Sequence, residues 1–386
     1  MKKIIFVLFL FTISHFAFSG KALALENPAN SVNNKFGIHI LFPEELKDAS
    51  ALVNSSGGDW GYVLIPIQSG DKDLVKWQKF MDNAKKYHLI PIVRLATEGD
   101  YFNTKVWRKP DFADVLDFAN FLDSLSWPVK NRYVVVFNET NRSDEWGGEA
   151  SPYEYANILN YAVQAFKSRS SDFFIISGGL DNAAPNVPGK FYNEYQFMRE
   201  MELSVNGIFT QIDGLGSHSY PNPGFSQPPS AQSNQGAGSF KYEKDLAIRL
   251  GAKTDLPVFI TETGWSRSAV PENLISTYYK YAFENLWSQE DVVAVVPFLL
   301  KAGAPPFDVF SFLNADGTKN ITYKTIESMQ KKAGAPVLIK NASSVATLGE
   351  KTDLLNEKKF SDKVNQNKSF SLSANLKIAI KWLLKI

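Results

Sequence analysis

The sequence YVVVFNE at residues 133–139 and the sequence PVFITETGW at residues 257–265 decide the fold. Each contains a short apolar run that leads into a glutamate, Glu139 in the first and Glu262 in the second. The runs are apolar at successive positions, which is typical of parallel strands covered by helices on both faces. The two stretches therefore predict buried strands with a carboxylate at the end of each.

Apolar runs of this kind recur along the chain, and helical patterns separate them. The eight runs occupy residues 36–42, 60–67, 89–96, 133–139, 173–180, 212–220, 257–265 and 292–300. This repeated alternation predicts an α/β protein whose single folded domain is a (β/α)8 TIM barrel. An open, doubly wound sheet would also alternate, but closure of eight units is the simpler arrangement.

Two of the intervening helices have clear signals. Residues 111–125 place apolar side chains on one helical stripe, at Phe112, Val115, Leu116, Ala119 and Leu122. The sequence SPYE at residues 151–154 predicts the start of the next helix, because it combines a capping box with proline at the first helical position.

The long connections follow predicted strands rather than predicted helices. They occupy residues 97–110, 140–150, 221–240 and 301–320. In a barrel these strand-to-helix loops build the active face, so the irregular length is concentrated where a site would lie.

Glu139 and Glu262 are the catalytic candidates. A carboxyl group at the end of a buried strand is partly desolvated, which raises its pKa, and a second carboxylate nearby raises the pKa of one member further. A glycosidase uses such a pair, with one carboxyl protonated as the acid and the other ionised as the nucleophile. The alternative is that each glutamate only caps its strand or pairs with Arg94.

Short motifs at the strand ends resemble those of the clan A glycoside hydrolases, which are retaining enzymes on (β/α)8 barrels. The motifs are NE at residues 138–139, ETGW at residues 262–265 and SHSYP at residues 217–221, and the resemblance covers about residues 36–333. It implies that Glu139 is the acid/base and Glu262 the nucleophile. It also implies that Asn138 binds the sugar 2-hydroxyl and that Tyr220 touches the nucleophile.

Three positions depart from the pattern of this clan. Thr140 stands where the clan usually has proline, Gln68 ends the second run where many members have arginine, and Phe298 ends the eighth run where many have tryptophan. We expect Arg94, in the third run, to do the electrostatic work of the arginine. The departures bear on the substrate and the exact family more than on the mechanism.

The remaining candidates are residues expected to bind a sugar. The predicted substrate-binding set is Asn138, His39, Arg94, His218, Tyr220, Trp265, Trp146 and Phe298. The apolar faces of Tyr220, Trp146 and Trp265 suit the C–H faces of a pyranose, with ordinary packing as the alternative. His39 and His218 could instead be metal ligands, but no carboxylate cluster adjoins them in the sequence, so we expect neither metal nor cofactor.

The two termini differ from the body of the chain. Residues 1–24 have the pattern of a signal peptide, with Lys2 and Lys3 before an apolar run, so we expect export, with an uncleaved anchor as the alternative. Residues 25–340 are predicted to form the barrel, and residues 341–386 a polar linker followed by a basic amphipathic helix. Lysines 377, 381 and 385 share one line of that helix, which suits an anionic membrane surface or a partner or, equally, docking on the barrel.

Charge and cysteine content narrow the classes of function. Between residues 25 and 340 the chain has 30 basic and 36 acidic residues, so nucleic acid is not an expected partner. The chain has no cysteine, which excludes disulfides, thiolate zinc sites and a thiol nucleophile. We expect an exported monomer that acts on a carbohydrate.

Three hypotheses follow from these residues. The first is hydrolysis of a β-linked glycoside or polysaccharide with retention, or glycosyl transfer at the same site. The second is a sugar-binding barrel without turnover, against which the paired glutamates argue. The third is a metal-dependent barrel hydrolase, which the four histidines of the chain disfavour.

Overall fold

The computed structural model describes residues 25–98, 105–302 and 304–339. Within them a strand forms on each of the eight predicted apolar runs. The strands are β1 (Gly37–His39), β2 (Gly61–Gln68), β3 (Leu89–Ala96), β4 (Arg132–Val136), β5 (Phe173–Ser177), β6 (Leu215–His218), β7 (Val258–Thr263) and β8 (Val292–Pro297). Nearly every strand residue is buried, as the apolar composition of the runs requires.

Helices occupy the connections between the strands. They are α1 (Leu46–Val53), α2 (Leu74–Lys86), α3 (Phe112–Asp123), α4 (Pro152–Arg169), α5 (Glu194–Ser204), α6 (Ile208–Gln211), α7 (Ser239–Arg249), α8 (Glu272–Tyr281) and α9 (Ile321–Ser328). The predicted start of α4 is confirmed, because the Ser151 side chain accepts a hydrogen bond from the Glu154 amide. The predicted stripe of α3 begins one turn too early, since Phe112 is exposed whereas Val115 is buried.

The strands are parallel and lie in two sheets. One sheet has the order β1-β2-β3-β4-β5 and the other the order β6-β7-β8. Single parallel bridges connect the two sheets, one between Ile176 and Gly214 and one between Phe36 and Val295. The molecule is therefore an α/β protein with parallel strands.

Side chains that alternate along the strands enter two different apolar layers. One layer is shared by strands of both sheets and includes Tyr62, Leu64, Ile92, Tyr133, Val135, Phe174, Ile176, Phe259 and Val296. The other layer joins the opposite strand faces to the helices and includes Val63, Val93, Val134, Ile175 and Ile260. Strands that are buried on both faces need the continuous apolar runs seen in the sequence.

The register of the strands sets the position of the polar residues. β2 and β3 pair along their full length, so Pro66 lies beside Arg94. β3 pairs with β4 so that Arg94 lies beside Val135, three residues before Asn138. Polar side chains from several strands thereby collect at the carboxyl edge of the sheets.

The chain divides into two units, Met1–Ile339 and Lys340–Ile386. The predicted signal peptide at residues 1–24 and the predicted helix at residues 375–386 lie outside the described residues. Among the residues that are described, no helix has both the length and the apolar character needed to cross a membrane.

Candidate active site

A cleft of about 450 Å³ opens at the carboxyl edge of the strands. Six of the predicted site residues line it: Arg94, Asn138, Glu139, Tyr220, Glu262 and Phe298. His39 and His218 are fully buried and approach the two glutamates from within the fold. The volume lies in the range of about 300–1,000 Å³ that is usual for ligand pockets.

Glu139 and Glu262 come together around the imidazole of His218. The Nδ1 atom of His218 lies 2.9 Å from Oε1 of Glu139 and 3.8 Å from Oε2 of Glu262. One carboxylate oxygen of each glutamate and one ring nitrogen of His218 all lie within 4.8 Å of one another. The two carboxyl groups are therefore close enough to act on the same bond of a substrate.

Glu262 receives a hydrogen bond on each of its oxygens. Arg94 donates from Nη1 to Oε1 of Glu262 and, over 2.7 Å, to Oδ1 of Asn138. The hydroxyl of Tyr220 donates to Oε2 of Glu262 over 3.0 Å. Donors on both oxygens favour the ionised form of the carboxyl group.

Their surroundings move the pKa values of the two glutamates in opposite directions. Burial alone would raise the pKa of Glu262, but the charges of His218 and Arg94 outweigh it and hold this pKa at about 2. Burial raises the pKa of Glu139, and the negative charge of Asp181 raises it further, against the hydrogen bond from His218. One carboxyl group with a raised pKa beside one with a lowered pKa is the arrangement that separates an acid from a nucleophile.

Room for the His218 ring depends on Gly179, which follows β5. A Cβ atom at position 179 would lie 2.1 Å from Cδ2 of His218, so any larger residue would displace the imidazole. Burial alone would lower the pKa of His218, but the charges of Glu262 and Glu139 raise it. The ring is thereby held as a partner of both carboxylates.

The backbone that carries Glu139 has an unusual conformation. Phe137 has a φ of 65° and Glu139 a φ of 30°, and such positive values are uncommon for residues other than glycine. The Glu139 amide donates to the carbonyl of Gly179 over 3.0 Å, which fixes this turn to the end of β5. Backbone strain of this kind concentrates at functional sites.

His39 lies at the end of β1, as predicted, but it is fully buried beside the nucleophile candidate and does not line the cleft, so the structure does not place it on the sugar-binding surface. Its Nε2 atom lies 3.7 Å from Oε1 of Glu262, and its ring packs edge-on against Phe298, with 5.1 Å between ring centroids. Burial lowers the pKa of His39 to about 3, and the charge of Arg94 lowers it too. The ring is therefore neutral near pH 7.

Two of the predicted sugar-stacking residues lie elsewhere. Trp146 and Trp265 are each 1% exposed, and neither lines the cleft. The indole of Trp146 donates to Glu154 over 3.2 Å, and that of Trp265 donates to the carbonyl of Gln227 over 2.7 Å. Both indoles find their polar partner inside the fold, so they pack the core, and the prediction that they bind sugar is wrong.

Aromatic rings nevertheless form one side of the cleft, which we call the aromatic wall: Tyr220, Phe225, Phe298, Phe307 and Phe310. Neighbouring rings meet edge to face, with centroids 5.1 Å apart for Tyr220 and Phe225 and 5.2 Å apart for Phe225 and Phe310. Phe225, Phe307 and Phe310 come from the predicted long loops at residues 221–240 and 301–320, where no periodicity marked them.

Charged side chains also line the cleft near Glu139. Arg142 donates to Asp144 over 2.8 Å and to Asp181 over 3.0 Å, and its Nε lies 3.7 Å from Oε2 of Glu139. Burial, followed by the charge of Glu139, raises the pKa of Glu145 to about 8. The sequence placed 140–150 in a loop of the active face but did not indicate which of its charges turn toward Glu139.

Glu139, His218 and Glu262 also have the spacing of a metal-binding group. The expectation that no carboxylates adjoin His218 is wrong for the folded protein, because the fold places both Glu139 and Glu262 beside the His218 ring. Arg94 and Tyr220 already donate to Glu262, and a cation would compete with these donors for the same oxygens. The donor pattern therefore favours proton transfer over metal binding.

Several solved structures share this fold. A family 39 glycoside hydrolase from the gut symbiont Bacteroides cellulosilyticus WH2 has a TM-score of 0.55 and 14% identity, over 80% of this chain and 65% of its own. A GH39 β-xylosidase from Caulobacter crescentus has a TM-score of 0.53 and 15% identity, over 80% and 74%. A GH5_18 protein from Bifidobacterium longum subsp. infantis has a TM-score of 0.56 and 12% identity, over 78% and 79%.

Sequence comparison alone does not reveal this relationship. No protein-family model matches the chain, and no curated protein sequence matches it significantly. The chain spans about two thirds of the length of the Bacteroides enzyme. The structural neighbours are glycoside hydrolases, and at 12–15% identity the chain shares their α/β fold of parallel strands without an assigned family.

Proposed function

We propose that this protein hydrolyses a β-linked glycoside with net retention of configuration. The observation that carries the proposal is the close approach of Glu139 and Glu262, whose oxygens lie within 4.8 Å of each other and of His218. Retaining glycosidases hold their carboxyl groups about 5–5.5 Å apart, whereas inverting enzymes leave about 6.5–9.5 Å for a water molecule. The short separation supports retention.

In the first step, an oxygen of Glu262 attacks the anomeric carbon while the bond to the leaving oxygen breaks. Glu139 gives its proton to that oxygen, which leaves as an alcohol. The opposite pKa shifts of the two glutamates support these roles, because Glu262 is ionised and Glu139 retains its proton to higher pH. Arg94 and Tyr220 orient Glu262, and Asn138 lies beside it for a sugar hydroxyl.

In the second step, Glu139 acts as a base. It takes a proton from a water molecule whose oxygen attacks the anomeric carbon, and the bond to Glu262 breaks. If a sugar hydroxyl replaces the water, the same chemistry produces a transglycosylase, which is the alternative outcome at this site. Phe298 and the rest of the aromatic wall offer apolar surface to the sugar.

We also propose that the two sheets close into a (β/α)8 barrel. The bridges at both seams and the apolar layer shared by strands of both sheets support closure. By this proposal residues 25–340 are the catalytic domain of an exported, monomeric enzyme acting on oligo- or polysaccharide, without nucleic acid as partner. We propose as well that residues 375–386, predicted to form a helix, contact anionic membrane surfaces.

Covalent labelling tests the division of roles. A 2-fluoro glycoside with a good leaving group should form an adduct on Glu262, because only the nucleophile bonds to the sugar. Glu139→Ala should lose activity on poor leaving groups by about 10²–10⁴-fold, while azide restores its second step on activated aryl glycosides. Glu262→Ala should lose turnover for every leaving group alike.

Peptide mapping and product analysis distinguish the alternatives. An adduct on Glu139 or on a rim carboxylate would overturn the assignment. Binding of glucans without turnover of any aryl β-glycoside would indicate a sugar-binding barrel, and disaccharide products at high sugar concentration would indicate transfer. Loss of activity on treatment with a chelator would indicate a metal-dependent hydrolase at Glu139, His218 and Glu262.

A further inference from the structure

A second pair of carboxyl groups lies buried outside the cleft, between α5 and α7. Glu194 is 1% exposed and Glu243 is 2% exposed, and both line one small internal cavity, where each acts on the pKa of the other. Neither residue lines the cleft, and neither takes part in the proposed chemistry. Two ionised carboxylates in contact inside a protein repel each other and lose hydration, so such a pair keeps a proton.

The hydrogen bonds around the pair indicate where this proton lies. The Oε2 atom of Glu194 is buried and has no donor among the described residues. A protonated Oε2 becomes a donor itself and can use the carboxylate of Glu243 as its acceptor. Glu243 in turn accepts from the hydroxyl of Ser217 over 2.9 Å.

Ser217 connects this pair to the end of β6. Its hydroxyl lies 2.8 Å from that of Ser219, which also receives a hydrogen bond from Ser239 over 3.2 Å. The neighbouring strand β7 holds the same segment, since Thr263 donates to the carbonyl of Ser219 over 2.7 Å. All three serines are fully buried, so each of these hydrogen bonds is shielded from water.

Side chains along this segment alternate between the buried network and the proposed active site. Ser217 and Ser219 contact the network on one side. His218 and Tyr220, on the other side, contact Glu139 and Glu262. Because neighbouring side chains of an extended chain point in opposite directions, fixing one set fixes the other.

We infer that Glu243, through a proton shared with Glu194, is a positioning residue that holds His218 and Tyr220 against the two catalytic glutamates. It acts by anchoring Ser217 and does not touch the substrate. Only the kinetic part of this inference depends on the proposed function, because the placement of the His218 ring can be observed without turnover.

The shared proton makes this anchor sensitive to pH. Burial, together with the charge of Glu243, raises the pKa of Glu194, and burial raises the pKa of Glu243 from 4.5 to about 7. The other titratable groups around the pair are Asp181, Glu139, His218 and Tyr195. Because the pKa values are raised in the folded state, the stabilisation is complete below about pH 4.5 and is lost as the pH rises through about 7.

Three variants separate the parts of this inference. Glu243→Gln imitates the protonated pair, because its amide accepts from Ser217 through oxygen and donates to Glu194 through nitrogen. Glu243→Ala removes the anchor, and Ser217→Ala removes only its link to β6. Ser276→Ala, a buried serine on α8 whose hydroxyl bonds to its own helix, is the matched control.

We would measure two quantities on the full chain, chosen because they report on the placement of His218 and not only on packing. The first is the imidazole NMR spectrum of histidine-labelled protein, which is simple because the chain has four histidines. The second is kcat and KM on an activated aryl β-glycoside. We expect Glu243→Ala and Ser217→Ala to shift the His218 signals and lower kcat about 10–100-fold with little change in KM, as for a displaced catalytic group.

Glu243→Gln should keep the His218 signals and kcat of the wild type, and should weaken the fall in melting temperature between about pH 5 and pH 8. Wild-type signals and kcat in both alanine variants would overturn the inference. If Glu243→Gln shifts the His218 signals and lowers kcat as much as Glu243→Ala does, then Glu194 and Glu243 do not share a proton. If Glu243→Ala does not fold, Ser217→Ala decides, and if the wild type turns over no glycoside, the NMR result decides alone.

Discussion

Arg94 is the residue whose charge most directly serves the proposed nucleophile, since one nitrogen contacts both Glu262 and Asn138. We expect Arg94→Ala to lower kcat/KM about 10²–10³-fold, as for other losses of a preorganised charged donor. The pKa of Glu262, now about 2, should rise because Arg94 lowers it. The acid limb of the pH profile of kcat/KM should therefore move to higher pH.

The control for this prediction is Arg94→Lys. A lysine keeps the positive charge but presents it as a point charge rather than as a planar fork. The acid limb should then move less than in Arg94→Ala, while kcat still falls because Asn138 loses its partner. An acid limb that stays in place in Arg94→Ala would mean that Glu262 is not the group whose ionisation limits the rate at low pH.

Single residues also mark the limit of prediction from sequence. Glu139 and Glu262 could be found because each comes at the end of a buried apolar run, Glu139 just after β4 and Glu262 within the last residues of β7, and strand ends of a parallel sheet meet at one edge. Asp181 could not be found in this way, because its approach to Glu139 depends on the fold of two loops. The need for glycine at position 179 appears only when the His218 ring is seen against it.

Among the connecting elements, the long loops were predicted but their contents were not. Trp146 and Phe310 both lie in loops that follow strands, yet one ring turns into the core and the other lines the cleft. The difference comes from neighbours distant in sequence: Trp146 donates to Glu154 at the start of α4, whereas Phe310 meets Phe225 from another loop. Composition and spacing do not predict contacts between residues that are distant in the sequence.

Substituting these two residues one at a time separates an effect on stability from an effect on substrate binding. Phe310→Ala should raise KM for an aryl β-glycoside several-fold while leaving the melting temperature little changed, because Phe310 is only half-buried and lines the cleft. Trp146→Phe should lower the free energy of unfolding by about 1–3 kcal/mol and leave KM unchanged, because it removes a buried hydrogen bond and volume. Kinetics and denaturant unfolding of both variants provide the check.

If Trp146→Phe changes KM and Phe310→Ala has the KM of the wild type, then Trp146 rather than Phe310 contacts the substrate. Ile326→Val, a buried conservative change in α9, serves as a control for general loosening of the fold. It should lower the free energy of unfolding by about 0.5–1.5 kcal/mol without a kinetic effect.

At the scale of the whole molecule, the eight apolar runs specify the α/β pattern because strands buried on both faces leave a strong signal. Residues 138–139, 217–221 and 262–265 predict a resemblance to clan A glycoside hydrolases, although no family model matches the chain. These motifs are short, whereas the surrounding sequence has only to keep the layers apolar.

The chain divides at residue 340, so the segment after the first unit can be deleted by itself. Near the end of the described residues, the Lys130 amide donates to the carbonyl of Val337 over 2.7 Å, and Leu338 bridges to Val129. Deleting residues 341–386 spares both contacts, so catalysis and melting temperature should stay nearly unchanged. Deleting from residue 335 onward removes them and should lower the melting temperature, which makes it the matched control.

The deleted segment should matter instead at an anionic surface. Its lysines at positions 377, 381 and 385 predict that liposomes with anionic lipid bind the full chain better than the shortened one. Added salt should weaken the difference, because screening acts on exposed charges, and glutamine at the three positions should abolish it. A large loss of melting temperature on deleting 341–386 would show instead that the helix belongs to the fold, with the lysines facing solvent.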